Sequence, residues 1–137
     1  YPVGRLDKDS FGLLLLTNDG DLAFRLTHPK HNVEKEYIVQ VDKKIKDGDL
    51  KKLSEGIILE GRMTREARFE IFDFKNNIVK VFLKEGRNRQ IRKMFKILGY
   101  NVVSLERVAF GKIKLGNLKI GTYRKLCKEE IEYLRSL

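Results

Sequence analysis

A carboxylate close to an arginine stands near the beginning of the sequence. Asp7 follows Arg5 and Leu6 in a short stretch that leads into four consecutive leucines, Leu13 to Leu16. An aspartate at the mouth of a buried strand can act as a nucleophile or a base if a nearby arginine keeps it ionised. It can equally be a helix cap or an ordinary surface charge, and composition leaves these alternatives open.

A tyrosine begins a β-rich run further along the chain. Tyr37 stands in Glu34-Lys-Glu-Tyr37, at the entry of a strand that we predict over residues 36–41. A tyrosine ring can stack on a nucleic-acid base, a contact worth roughly 1–3 kcal/mol. The alternative is a core aromatic on a half-buried strand, which the periodicity by itself favours.

A basic segment supplies the third kind of candidate side chain. Residues 84–96 contain only one acid, Glu85, and six basic residues: Lys84, Arg87, Arg89, Arg92, Lys93 and Lys96. The apolar spacing of Ile91, Met94, Phe95 and Leu98 predicts a helix over residues 88–98, ended by Gly99.

The two sides of this predicted helix favour different roles. Arg89, Lys93 and Lys96 project away from its apolar face and suit phosphate contacts. Arg92 lies on the flank, where a guanidinium can reach inward to a buried carboxylate. A solvated surface would explain any single lysine, but nucleic-acid contact explains the whole cluster better.

Charge and cysteine content limit the classes of partner. The chain has 29 Lys and Arg against 19 Asp and Glu, a net charge of +10, which favours a polyanionic partner. Acidic proteins and membrane surfaces would also satisfy this charge, but no apolar run approaches the roughly 20 residues that span a bilayer. One cysteine and two histidines are too few for a structural zinc site. We therefore expect no metal and a reducing, cytoplasmic location.

The predicted strands and helices that must position these side chains follow one another in no regular order. Strands are predicted at residues 13–17, 36–41, 67–74, 78–83 and 102–110, with a two-residue hairpin turn at Asn76-Asn77. Besides residues 88–98, helices are predicted at 21–26, 47–53 (ended by Gly56) and 128–134. This pattern predicts a single domain over residues 1–137 of the α+β class, with a mixed, mainly antiparallel sheet flanked by helices.

Three segments together resemble the RsuA/Rlu family of ribosomal RNA pseudouridine synthases. They are Tyr1-Pro-Val-Gly-Arg-Leu-Asp-Lys-Asp-Ser10 continuing to Gly20, Glu34-Lys-Glu-Tyr-Ile-Val39, and Glu85-Gly-Arg-Asn-Arg-Gln-Ile-Arg-Lys-Met94 continuing through Leu105-Glu-Arg107. The first and third of these segments are more similar to family members that act on large-subunit ribosomal RNA. The family usually has an S4 domain and a first strand ahead of these segments, so we expect this chain to be a catalytic-domain fragment.

The resemblance implies an isomerase that converts a uridine of ribosomal RNA to pseudouridine without metal or organic cofactor. It implies that Asp7 is the nucleophile, that Arg92 (or, as second choice, Arg87) is its basic partner, and that Tyr37 lies over the target base. The tyrosine at this position can also assist proton removal from C5, but stacking fits better, because a tyrosine of pKa about 10 is a poor base at neutral pH. Ile91 matches an apolar pocket wall. Arg5 matches a position that holds the flipped nucleotide or fills its vacated place.

These expectations can be stated geometrically. Asp7, Tyr37 and Arg92 should converge in one basic cleft, with RNA-binding side chains around it: Arg5, Arg87, Arg89, Lys93 and Lys96. The expected partner is ribosomal RNA or a pre-ribosomal particle, bound by a monomer. The rival hypothesis is a non-catalytic, ribosome-associated RNA-binding module. A DNA-binding domain is less favoured, because no helix-turn-helix or zinc-finger pattern occurs.

Overall fold

A six-stranded sheet organises the protein. The computed structural model describes residues 1–137, apart from the side chain of Pro29. The sheet strands are β1 (Phe11–Gly12), β2 (Lys35–Val41), β5 (Arg68–Asp73), β6 (Ile78–Leu83), β7 (Val102–Phe110) and β8 (Ile113–Lys114), and a separate hairpin is formed by β3 (Ile58–Leu59) and β4 (Arg62–Met63).

The sheet is mainly antiparallel, which confirms the predicted fold class. Its order is β1-β7-β2-β6-β5, with β8 also paired to β7. Only β1 runs parallel to its neighbour β7. The nine-residue β7 therefore contacts β1, β2 and β8, and it connects the N-terminal segment to the centre of the sheet.

Four α-helices and one short 3-10 helix accompany the sheet. They are α1 (Gly20–Thr27), the 3-10 helix (Pro29–His31), α2 (Asp47–Glu55), α3 (Gln90–Ile97) and α4 (Lys128–Ser136). The first helix begins where the sequence predicts it, because the Asp19 side chain accepts a hydrogen bond from the amide of Leu22. The second ends at Gly56, as predicted.

The main core confirms the predicted apolar face of α3. Ile91, Met94 and Phe95 are buried, the last two completely, among side chains of the sheet and of α2. Val79 and Val81 of β6 meet them from the sheet. Since this face is filled by apolar groups, the basic side chains of α3 are left on its other sides.

A second core lies between the N-terminal segment, α1 and α4, and it corrects one predicted strand. Regular pairing covers only β1, and the four leucines follow it as an extended segment with Leu13 and Leu15 buried and Leu14 and Leu16 exposed. The buried strand predicted over 13–17 is therefore wrong. Its backbone divides its hydrogen bonds between Arg107 of β7 and the N-terminal residues Tyr1 and Val3, instead of following one strand.

The turn between β5 and β6 is longer than the predicted two residues. It runs over residues 74–77, and Asn77 alone adopts a left-handed conformation, with φ of 57°. The Asp73 side chain accepts hydrogen bonds from the backbone and side-chain nitrogens of Asn76. Across the described residues, no helix has the length and apolar character needed to cross a membrane.

Candidate active site

A wide basic cleft opens between the N-terminal segment, the start of β2, β7 and the loop that leads into α3. Its volume is about 840 Å³, within the range of pockets that hold a small ligand and large enough for a single nucleotide. Two acids and eight basic residues line it: Asp7, Glu85, Arg5, Lys35, Arg62, Arg65, Lys84, Arg87, Arg89 and Arg107. Tyr37 and Ile91 line it as well. The cleft therefore suits an anionic ligand.

Asp7 enters this cleft from a tight turn. The amide of Ser10 donates a hydrogen bond of 2.9 Å to the Asp7 carbonyl, and the turn leads directly into β1. The Asp7 side chain is half-buried. A turn at the end of a strand that is paired with β7 fixes the carboxylate in the wall of the cleft.

Tyr37 reaches the same cleft from β2, where it pairs with Arg107 of β7 and Val81 of β6. Burial raises the pKa of Tyr37, the nearby Arg107 guanidinium opposes that rise, and the negative charge of Asp7 adds to it. The phenol therefore keeps its proton at neutral pH, so that it can donate a hydrogen bond and offer its ring face to a base.

Arg107 is a buried basic residue beside the Tyr37 phenol in this cleft, and our interpretation of the sequence gave it no role. It is only 6% exposed, and its Nε donates a 2.9 Å hydrogen bond to the carbonyl of Leu13. A signal was present, because Leu105, Arg107 and Ala109 alternate along a predicted strand. An arginine in a row of buried positions requires a partner.

Arg92 does not make the predicted contact with Asp7. Its guanidinium bonds instead to the next part of the turn, with Nη2 2.7 Å from the Asp9 carbonyl and Nε 3.5 Å from Asp9 Oδ1. A weaker contact joins Nη1 to the Val102 carbonyl. Arg92 therefore reaches inward as expected of a flank residue, but its acidic partner is Asp9.

Asp9 also holds Arg89. The two side chains form a bidentate pair, with distances of 2.8 Å and 2.9 Å between the guanidinium nitrogens and the carboxylate oxygens. The hydrogen bond from Arg89, together with the charge of Arg92, lowers the pKa of Asp9 to about 2. Asp9 therefore stays ionised over the whole neutral range and connects the Asp7 turn to the first turn of α3.

Arg87 has a different position from the one that the sequence suggested. Its side chain is only 13% exposed and donates to the carbonyls of Leu59, Arg62 and Met63. Arg87 therefore makes neither the solvent-facing phosphate contact nor the pairing with Asp7 that the sequence suggested. By donating to three carbonyls of this hairpin, the guanidinium anchors β3 and β4 to the loop before α3.

The remaining predicted residues are spread over a wider surface. Arg5 is exposed at the cleft, and Ile91 is buried at its wall. Lys93 pairs with Glu60 at the tip of the hairpin, at 2.9 Å, while Lys96 is exposed in the last turn of α3. Neither lysine lines the cleft. Among the described residues, no three His, Cys, Asp or Glu side chains come together in a way that could hold a metal ion.

Comparison with known proteins gives a consistent result. The family model described as RNA pseudouridylate synthase matches residues 1–96. The chain is 40% identical to ribosomal large subunit pseudouridine synthase B of Bacillus subtilis (100% of this chain, 58% of the relative). It is 41% identical to ribosomal small subunit pseudouridine synthase A of Haemophilus influenzae (98% and 58%).

A solved structure agrees with the sequence relatives. A crystal structure of a pseudouridylate synthase superimposes with a TM-score of 0.92 and 40% identity, over 98% of this chain and 59% of that one. The chain thus spans a little over half the length of the proteins that it matches. With the family model covering the Asp7 turn, β2 and the first turns of α3, the chain belongs to the RNA pseudouridylate synthase family.

Proposed function

We propose that this protein isomerises a uridine of ribosomal RNA to pseudouridine, with Asp7 as the nucleophile. The observation that carries the proposal is the meeting of Asp7 and Tyr37 in one basic cleft that is large enough for a flipped nucleotide. The names of the relatives support the substrate class. Large-subunit RNA is the proposed target because of the Gly86-Arg-Asn-Arg-Gln-Ile-Arg92 segment, although relatives named for either subunit are equally similar.

The chemistry requires a carboxylate that remains ionised when RNA covers it. Pseudouridine formation replaces the N1–C1′ bond of the target with a C5–C1′ bond, and a carboxylate can hold the intermediate covalently. A neighbouring guanidinium favours the ionised form of a carboxylate that is taken out of water. We propose Arg92 as its basic partner in the RNA-bound state, where the guanidinium would move from Asp9 to Asp7 within the same turn.

Recognition follows from the charge around the cleft. The target must leave its stack, at a cost of a few kcal/mol, and Tyr37 offers a ring face to the extruded base. We propose that Arg5 holds the flipped nucleotide or fills its place. Arg89, Lys93 and Lys96 form the proposed phosphate-binding surface of α3, where each neutralised phosphate adds salt dependence. A monomer acting in the cytoplasm fits this proposal.

Release of tritium from RNA labelled at uridine C5 tests the proposal. The substrate is ribosomal RNA extracted from cells that lack the gene, and the protein is compared with Asp7→Asn. We expect release by the unmodified protein, none by the variant, and similar RNA binding by both. Glu132→Gln, on the exposed side of α4, serves as a control that should retain activity.

Two outcomes would contradict the proposal in different ways. Release that survives Asp7→Asn would show that another group is the nucleophile. Tight RNA binding without any release would favour the non-catalytic RNA-binding module. Chemical mapping of pseudouridine in the same RNA identifies the modified position and decides between the subunits.

A further inference from the structure

Lys35 is a cleft residue that the proposed chemistry leaves unused. It lies two residues before Tyr37 on β2, so that both side chains project from the same face of the strand into the cleft. Its strand neighbours are Leu83 of β6 and Phe110 of β7, both buried apolar residues. The amine lies against the loop before α3, since a Cβ built on Gly86 would stand 3.8 Å from Nζ.

The charges that face Lys35 come from β7 and from the loop after β6. Burial and the charge of Arg107 lower the pKa of Lys35 to about 8, against a smaller opposing effect of Glu85. The Glu85 carboxylate is instead bonded to other groups: Oε1 accepts from the Arg65 amide at 2.7 Å and from Gln90 Nε2 at 2.8 Å, and Oε2 lies 3.4 Å from Arg87 Nε. Among the described residues, no ion pair within 4.0 Å joins Lys35 to an acid.

The proposed isomerisation needs a proton acceptor within the cleft. After C5 has bonded to C1′, the hydrogen on C5 must leave as a proton. Tyr37 is unsuited, because its raised pKa keeps the phenol protonated. Asp7 is the proposed nucleophile, and an arginine side chain has no lone pair to offer as a base. The Glu85 carboxylate already accepts hydrogen bonds from Arg65 and Gln90, and His28 Nδ1 accepts one from the Lys30 amide.

We propose that Lys35 is the general base that removes the C5 proton in this reaction, a role that rests on the function proposed above. The neutral amine accepts the proton through its nitrogen lone pair, while the C5–H bonding electrons restore the double bond of the uracil ring. The C6–N1 π electrons return to N1, which takes up a proton from water, and the ammonium gives its own proton back to water. The net change moves one hydrogen from C5 to N1, so no oxidant, reductant or further reactant is consumed. At neutral pH a minor fraction of Lys35 is neutral, and this fraction grows toward pH 8.

The test compares Lys35→Met, Lys35→Arg and the exposed control Lys51→Met in single-turnover reactions. The substrate is the same ribosomal RNA, prepared with hydrogen or with deuterium at uridine C5, and pseudouridine is measured by mass spectrometry of the digested nucleosides. We expect Lys35→Met and Lys35→Arg each to slow pseudouridine formation by about 100-fold or more. Both should show a normal deuterium isotope effect that the unmodified protein and Lys51→Met lack.

The arginine variant separates catalysis from binding. Arginine keeps the positive charge but not a usable lone pair, so it would preserve a phosphate contact and fail as a base. Added methylamine should restore part of the activity of Lys35→Ala, whereas tetramethylammonium, which has no lone pair, should not.

Three results define the outcome. A Lys35→Arg variant with the unmodified rate and no isotope effect would overturn the general-base role. Loss of RNA affinity without any change in the isotope effect would overturn it too, and would assign Lys35 to binding. An unmodified protein that forms no pseudouridine would instead refute the function itself, which keeps the two failures distinct.

Discussion

Arg92 bonds to Asp9, two residues beyond the proposed nucleophile, with 2.7 Å between its Nη2 and the Asp9 carbonyl. The same aspartate receives Arg89 through both carboxylate oxygens. Asp9 therefore joins the turn that carries Asp7 to the start of α3, although more than 80 residues separate them in the chain. We expect this connection to position the Asp7 carboxylate in the cleft.

Asp9→Asn should reduce turnover more than substrate binding. The amide keeps the shape of the side chain but loses the charge-assisted bidentate pair with Arg89, and small displacements of a reacting group are costly. We expect kcat for pseudouridine formation to fall by about 10- to 100-fold with little change in KM. Because the pKa of Asp9 is lowered to about 2, the difference should be constant between pH 6 and about pH 8. A raised KM at unchanged kcat would show that Asp9 acts only in RNA binding.

Arg87→Met should destabilise the β3–β4 hairpin. The substitution leaves the carbonyls of Leu59, Arg62 and Met63 without the donor that they now share. We expect a loss of about 2–3 kcal/mol in the free energy of unfolding, measured by denaturant titration. Hydrogen exchange should accelerate at residues 58–64. A variant of unchanged stability with weakened RNA binding would instead support the phosphate contact that the sequence suggested.

Gly12→Ala should disrupt the junction between β1 and β7. Gly12 has φ of 113°, and an added Cβ would overlap the backbone carbonyl of Arg107, which cannot move without breaking the parallel pairing. We expect destabilisation of at least about 3 kcal/mol. Gly48→Ala is the matched control, since a Cβ there meets nothing within 4 Å. Equal stability of the two variants would contradict the position of β1.

Lys35→Met should stabilise the folded protein at neutral pH. A buried ammonium with its pKa lowered to about 8 binds its proton less tightly in the folded than in the unfolded chain. The unmodified protein should therefore become more stable as pH rises from about 8 through 10.5, because over this range the unfolded chain still holds a proton that the folded chain has lost. We expect the variant to gain about 2 kcal/mol at pH 7 and to lose this advantage by about pH 10. Denaturant titrations of both proteins at the two pH values measure the effect, and a gain that is independent of pH would indicate improved packing instead.

Sequence periodicity was sufficient for most elements and for part of the site. The spacing of Ile91, Met94 and Phe95 predicts α3 because burial of one apolar face is a local property of the helix. Asp7 and Tyr37 were identified from the segments that resemble the family, and the structure brings both to one cleft. The strand predicted at the four leucines was wrong. The backbone hydrogen bonds of this segment are divided between β7 and the N-terminal residues, and periodicity does not show which partners a segment will have.

The partners of the arginines were decided only by the tertiary structure. Asp7 and Asp9 are two residues apart, and a flexible arginine can reach either, so spacing could not indicate that Arg92 would contact Asp9. The burial of Lys35 and Arg107 arises where β2 and β7 pair. By itself the sequence determined which side chains could react. Which of them are desolvated, paired or left without a counter-ion was set by the packing of distant segments, because electrostatic interactions depend on distance and on exclusion of water.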